Sequence, residues 1–312
     1  VKRVEREWLF VRPTGADEEE RWFERTHDQF ATGGAWIRDT GIEQKTRAEA
    51  LHLSVAAAWN HAQAQKLLEW FQDELRVPNG SSDDTSQHET IQLLGEEAHR
   101  ETIRALICRL DFGINDIEIV TDPTSVNFHA FDAADSEKTF LTILGNLVTG
   151  NVPRRLVAIR QGIAFDLARD ESAGTNKAVA LAGPIVHTLA NGGIIVIDEF
   201  DARLHTLLAK QLVELFQDPS TNPHDAQLVF TSHDTNLLTR TLLRRDQLWF
   251  VEKSHKTHAS DLYSLAEFRL DDGKAVRYDA RYEVDYLQGR YGAIPFFGNL
   301  KALLGDALTR KD

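Results

Sequence analysis

Two apolar runs, close together in the chain and each ending on polar groups, constrain this sequence more than any other feature. The first is "IIVIDEFD" (Ile194–Asp201), four apolar residues that stop on two carboxylates. The second is "QLVFTSHD" (Gln227–Asp234), which stops on Ser232 and His233. Short continuous apolar runs between turn signals read as strands buried on both faces. A helical pattern, "HTLLAKQLVELFQD", separates the two runs, and another, "NKAVALAGPIVHTLANGG" (Asn176–Gly193), precedes them and stops on a glycine pair that suits a helix C-cap. Strand–helix alternation predicts an α/β fold whose mostly parallel sheet is wrapped by helices, with ligands at the carboxyl ends of the strands.

The rest of the chain frames this core. "REWLFVRP" and "ERWFERT", separated by the acidic turn Asp17–Glu20, alternate like an antiparallel β hairpin. From about Lys45 the spacing of Leu51, Val55, Ala58, Leu67, Leu68, Phe71 and Leu75 predicts one helix, and "PNGSSDD" (Pro78–Asp84) a loop. A second helix is expected from about Glu89 to Leu110, then strands at Ile114–Val120 and in "PRRLVAIRQGIAFD", a helix in "TNLLTRTLLRRD" and a strand in "QLWFVEK". The expected division is an antiparallel β segment over 1–40, a helical insertion over 41–112 and an α/β core over 113–312.

Composition narrows the function. A formal net charge of −13 argues against a self-sufficient nucleic-acid binder. Arg154–Arg155 and Arg240 with Arg244–Arg245 are local basic clusters of the kind that solvated surfaces carry. The single cysteine, Cys108, forms no intramolecular disulfide and fits a reducing cytoplasm. No apolar run reaches membrane-span length. The chain starts at Val1 and holds no Met, which reads as an artificial boundary.

The strand ends carry the chemistry. A hard cation such as Mg2+ takes carboxylate oxygens, so Asp198 can face a metal while Glu199 orients a water. His233 can donate to phosphate at neutral pH. In "ESAGT" (Glu171–Thr175) a small-residue turn opens a helix, where N–H groups and the helix dipole favour an anion. Gly174 permits close backbone approach, Ser172 and Thr175 offer hydroxyls, and either could equally be a plain N-cap. The stretch is not a phosphate-binding loop, because it lacks the GxxxxGK[ST] spacing. The nearest approach to that spacing is "GNLVTGNV" (Gly145–Val152), where Asn151 and Val152 stand in place of the lysine and hydroxyl.

Taken together, "ESAGT", "GGIIVIDEFDARLH" and "AQLVFTSHDTNLL" resemble the second half of an ABC-type ATPase head. Among such proteins the chain is similar to bacterial AAA-type ATPases related to the RecF, SMC and OLD (overcoming-lysogenization-defect) heads. "RRDQLWFVEK", "YLQGRYGAIPFFG" (Tyr286–Gly298) and the front end "EREWLFVRP" add to the likeness. The resemblance implies a P-loop NTPase using ATP and Mg2+, with Asp198 the Walker B aspartate at the metal and Glu199 the catalytic glutamate. Ser172, Gly174 and Thr175 then match the signature loop that contacts the γ-phosphate of ATP held by a second head. Asp201, in Asp201–His205, falls in the D-loop region, and His233 matches the switch histidine. The signature reads "ESAGT" rather than "LSGGQ". The implied protein is a cytoplasmic homodimer that hydrolyses ATP and acts with a co-acting nuclease or on DNA through a partner. The phosphate-holding Walker A loop is expected in a segment before these residues, so that the chain alone would turn over little ATP. Two other readings use the same residues: a non-catalytic head acting as a protein-interaction module, and a metal-dependent nuclease built on Asp198, Glu199, His205 and His233.

Overall fold

The computed structural model describes residues 3–78, 83–110, 112–121, 154–254, 256–270 and 273–295. "GNLVTGNV" and the last three residues of "YLQGRYGAIPFFG" lie outside them.

The front end forms a three-stranded antiparallel meander, β1 (Arg6–Val11), β2 (Glu20–Thr26) and β3 (Gln29–Thr32). The expected hairpin is therefore one strand short. The third strand follows a tight turn at His27, which sits at φ +55°, and only four residues of alternation announce it. One face buries Phe23 against Trp36, Ile42 and Ala56. Arg25, two residues on along the same face of β2, is 1% exposed. Its guanidinium donates to the carbonyls of His27, Ala50 and Arg47 at 2.7, 2.7 and 2.9 Å. Burial pushes the His52 imidazole down to about 4, so it sits neutral against Phe23 and Phe30.

The single helix expected from Lys45 is three: α1 (Thr40–Lys45), α2 (His52–Ala58) and α3 (Ala62–Glu74). Asn60 takes φ +63° between the last two, and His61 Nδ1 then caps α3 by accepting from Ala64 N. Two residues follow as strand β4 (Leu75–Arg76). The second expected helix is also divided, into α4 (Asp83–Gly95) and α5 (Glu97–Arg109). Beyond it, β5 (Asp116–Thr121), β6 (Arg154–Arg160) and β7 (Ile163–Asp166) form a second antiparallel sheet.

A one-turn helix, α6 (Leu167–Asp170), leads into α7 (Ala173–Asn191), which ends on Gly192 in the left-handed region at φ +83°. Then come β8 (Ile194–Ile197), α8 (Thr206–Gln217) and β9 (Gln227–Phe230). The parallel sheet has three strands in the order β4-β8-β9. The fold is thus mixed α/β rather than mostly parallel, since the other three sheets among the described residues are antiparallel. "QLWFVEK" becomes β10 (Trp249–Lys253), paired antiparallel with β11 (Ser260–Ser264) and not added to the parallel sheet. "TNLLTRTLLRRD" is no α-helix but opens on a 3-10 turn, Thr235–Leu237, and runs into a second, Arg245–Gln247. A short helix, α9 (Tyr282–Leu287), follows. The core over the parallel sheet joins Leu181, Ile185 and Leu189 of α7, Ile195 and Ile197 of β8, and Leu212 and Val213 of α8.

The helical block crosses this core where α4 meets α7. Pro184 interrupts α7 and cannot donate to the Ala180 carbonyl. Thr90 of α4 supplies the missing donor, its Oγ1 lying 2.8 Å from that oxygen. Gly183 makes the crossing possible, because a Cβ there would stand 2.7 Å from the Thr90 Cα. Thr90 is fully buried. Thr90→Val keeps the shape and removes the donor, and should lower stability by about 1–3 kcal/mol in urea unfolding, the cost of an unsatisfied buried carbonyl.

Candidate active site at the strand ends

β8 and β9 pair in parallel with Ile197 opposite Phe230. Asp198 and Thr231 therefore leave the sheet side by side. The Thr231 hydroxyl donates to Asp198 Oδ1 and accepts the Glu199 N–H at 2.8 Å. One hydroxyl thus fixes the orientation of Asp198 and the backbone of Glu199. The ladder continues past the strands, with Thr231 N donating to the Ile197 carbonyl at 3.1 Å and Phe200 N to the Thr231 carbonyl at 3.0 Å. Phe200 is fully buried and anchors the turn, while Asp198 and Glu199 on the other side of it are exposed. Glu199 has φ +48°, a left-handed conformation that is uncommon for a residue with a Cβ.

The next turn joins the two strand ends again. Asp201 Oδ1 accepts the backbone N–H of His233 at 3.1 Å, and His233 is exposed. Asp234 Oδ2 accepts the Thr206 hydroxyl at 2.6 Å. Burial raises the Asp234 carboxyl, but its bonds from Thr206 and Asn236 hold it below the usual carboxylate range. His205 caps α8, its Nδ1 accepting from Leu207 N at 3.2 Å.

The start of α7 lies against this turn. Ser172 is the N-cap, its Oγ accepting from Thr175 N at 3.1 Å and lying 2.9 Å from Thr175 Oγ1. Thr175 is buried at 4% exposure behind Ser172, which is exposed. The Thr175 hydroxyl therefore shapes the cap, and Ser172 is the one presented outward. Gly174 is where α7 meets the turn, since a Cβ there would stand 2.5 Å from the Arg203 carbonyl oxygen. Lys177 of the same helix is buried and donates from Nζ to the Glu199 carbonyl at 2.5 Å.

The residues singled out in the sequence thus form one continuous neighbourhood. Asp198 and Glu199 meet through Thr231, Asp201 meets His233, and Ser172, Gly174 and Thr175 stand at the helix start that touches Arg203. Thr231, Lys177 and Thr206 were not singled out. Thr231 lies inside the quoted "FTSHD", but a threonine at a strand end carries no distinguishing signal. Among the described residues no three or more His, Cys, Asp and Glu side chains gather as a metal cage. The four-residue nuclease site does not form, and His205 is used as a helix cap instead. One arginine of each cluster is in an ion pair, Arg155 with Asp166 and Arg244 with Asp246. A polar cleft of about 310 Å³ lies at the other end of the sheet, lined by Arg76, His187 and Gly193. Burial, with Arg76 beside it, pushes His187 there down to about 4. Gly193 precedes β8 whereas Asp198 follows it, so this cleft is not part of the strand-end group.

Residues 160–239 match the protein family described as "AAA domain, putative AbiEii toxin, Type IV TA system". The match spans every candidate site residue. It is a likeness of this segment to an AAA-type domain. No curated protein matches the chain. Two Smc heads are among the solved structures to which the chain is similar. One is an Smc head bound to the C-winged helix domain of ScpA, at 12% identity and TM-score 0.37, covering 79% of this chain and 64% of that one. The other is an Smc head domain with an extended coiled coil, bound to the C-terminal domain of ScpA derived from Pyrococcus furiosus. It shares 13% identity at TM-score 0.35, over 68% of this chain and 44% of that one. The chain spans less than two thirds of either. Among the described residues no helix is long and apolar enough to cross a membrane.

Proposed function

We propose that these residues form the hydrolytic part of an ABC-type, Mg2+-dependent ATPase head. The observation that carries the reading is the Thr231 hydroxyl, which holds Asp198 and the Glu199 backbone together where the parallel strands end. The AAA-domain match over 160–239 supports it. Asp198 suits Mg2+, which needs only one or two carboxylates when phosphates and waters complete its shell. Bound there, the ion would neutralise charge on the phosphate oxygens. Glu199 is the base that orients and deprotonates the attacking water, and His233 donates to the transferred phosphate. Asp201 fixes the His233 backbone and so shapes the turn that carries it. Ser172 and the first-turn N–H groups of α7 offer donors to the phosphate of a nucleotide held by a second head, with Gly174 and Thr175 setting their position. A homodimer in the cytoplasm, working with a DNA-related or phage-defence partner, fits this arrangement.

Phosphate release by the full-length protein tests the reading. The expected result is ATP turnover that needs Mg2+, stops in EDTA and falls by at least about 100-fold in Asp198→Asn, the scale of losing an electrostatic partner of the transition state. Turnover that persists in EDTA, or in Asp198→Asn, overturns the assignment of Asp198.

A further inference from the structure

Lys177 has no part in the reaction as set out above, yet it makes the direct side-chain bond from α7 to Glu199. It is 5% exposed, and an ammonium at that depth is retained only where it is well bonded. Its Nζ donates to the Glu199 carbonyl at 2.5 Å. The same carbonyl accepts from Ala202 N at 3.0 Å. On the other side of the residue, the Glu199 N–H is held by Thr231 Oγ1 at 2.8 Å. Both peptide groups that flank the Glu199 Cα are thus fixed from outside its own loop. Between them lies the left-handed φ of +48°. A conformation of this kind costs about 1–3 kcal/mol and persists where its surroundings over-determine it. The direction of the Cα–Cβ bond follows from the backbone, so holding the two peptide groups fixes the point and direction from which the Glu199 side chain departs.

We propose that Lys177 is a positioning residue for Glu199: its ammonium locks the left-handed turn and so sets the direction in which the Glu199 side chain leaves the backbone. The proposal rests on the reading of Glu199 as the hydrolytic base. It also gives α7 a second task. The helix that starts at Ser172 and touches Arg203 through Gly174 carries Lys177 in its second turn. A displacement of the helix start is therefore passed to Glu199 through a bond rather than through loose packing.

The test compares wild type, Lys177→Met, Lys177→Arg, Glu199→Gln and the Lys177→Met/Glu199→Gln double variant, all in the full-length protein. Steady-state kcat, the Kd of a fluorescent ATP analogue and far-UV circular dichroism are read for each. Lys177→Met should lower kcat by about 10- to 100-fold, the scale of misplacing a catalytic group by about 1 Å, with Kd changed less than about threefold. Lys177→Arg should recover part of the loss, and the double variant should be no slower than Glu199→Gln alone. Lys177→Gln, which keeps a neutral donor, is read in the same way if the methionine variant does not fold. Wild-type kcat in Lys177→Met, equal losses of kcat and nucleotide affinity, or a double variant slower than Glu199→Gln by the full Lys177→Met factor overturns the proposal. Absence of turnover in the wild type, or wild-type turnover in Glu199→Gln, fails the ATPase reading instead.

Discussion

Glu199→Gln should reduce kcat for ATP by about 100- to 10,000-fold while leaving nucleotide affinity within a few-fold, as expected for losing a general base that does not itself hold the substrate. The amide is nearly the size of the carboxylate. It keeps the left-handed backbone, because the groups that fix it are the Glu199 N–H and carbonyl rather than its side chain. What it removes is the proton acceptor. With hydrolysis blocked and binding intact, the proposed head dimer should accumulate with nucleotide bound. Size-exclusion chromatography with light scattering, with and without ATP, checks this alongside phosphate release. A variant that hydrolyses at the wild-type rate removes Glu199 from the mechanism.

Arg25→Ala should be the most destabilising single change in the N-terminal sheet, at about 3–5 kcal/mol, the cost of stripping one partner from a buried charged network. The guanidinium satisfies three carbonyls and lies 3.8 Å from Glu7, whose side chain is itself only 10% exposed. That carboxylate is committed to the start of α2, accepting from His52 N at 2.7 Å and Leu53 N at 3.1 Å. Losing Arg25 removes the side-chain donor of the His27 and Ala50 carbonyls, leaves the Arg47 carbonyl with Ala50 N alone of its two donors, and leaves Glu7 without the Arg25 cation. Arg25→Lys should recover only part of the loss, since one ammonium cannot reproduce a planar fork aimed at carbonyls from three different residues. Urea unfolding followed by circular dichroism and Trp fluorescence reads both variants. A loss under about 1 kcal/mol for Arg25→Ala, within the range of ordinary surface changes, would show the network to be dispensable.

The places of the strands that build the site are legible because their signal is local, although β9, expected to be buried on both faces, leaves Val229 52% exposed. Four apolar residues ending on acids can be seen without knowing what pairs with them, and the same holds for Gly192 as a stop. The helix expected over "TNLLTRTLLRRD" misled for a physical reason. Leu238 and Leu242 stand four residues apart, as on one helix face, and Leu237, Leu242 and Leu243 are all buried, but Asp234 caps a 3-10 turn by accepting from Asn236 N, and two threonines follow soon after. Burial sets the pattern, and a packed loop buries leucines as well as a helix does. The break at Asn60 needed a left-handed residue that apolar periodicity does not register. Lys177 was hidden differently. A lysine early in a helix reads as solvated, and only the fold brings the Glu199 carbonyl within its reach. Thr231 was overlooked for the same reason, since its importance lies in two partners from the neighbouring strand end.

The two residues of β4 have a consequence for how the chain can be divided. Leu75 and Arg76 cover one edge of β8, in parallel register with Ile194 and Ile195. The first half of the central strand's edge, Ile194 and Ile195, is therefore paired by a segment far away in sequence, delivered at the end of α3. Contacts of such long separation form late in folding, because the chain between them must be closed into a loop first. Until they form, β8 presents an open row of N–H and C=O groups with Ile195 and Ile197 beside it, the kind of edge that recruits other chains. An expression fragment trimmed to the α/β segment after residue 78 would carry that open edge permanently.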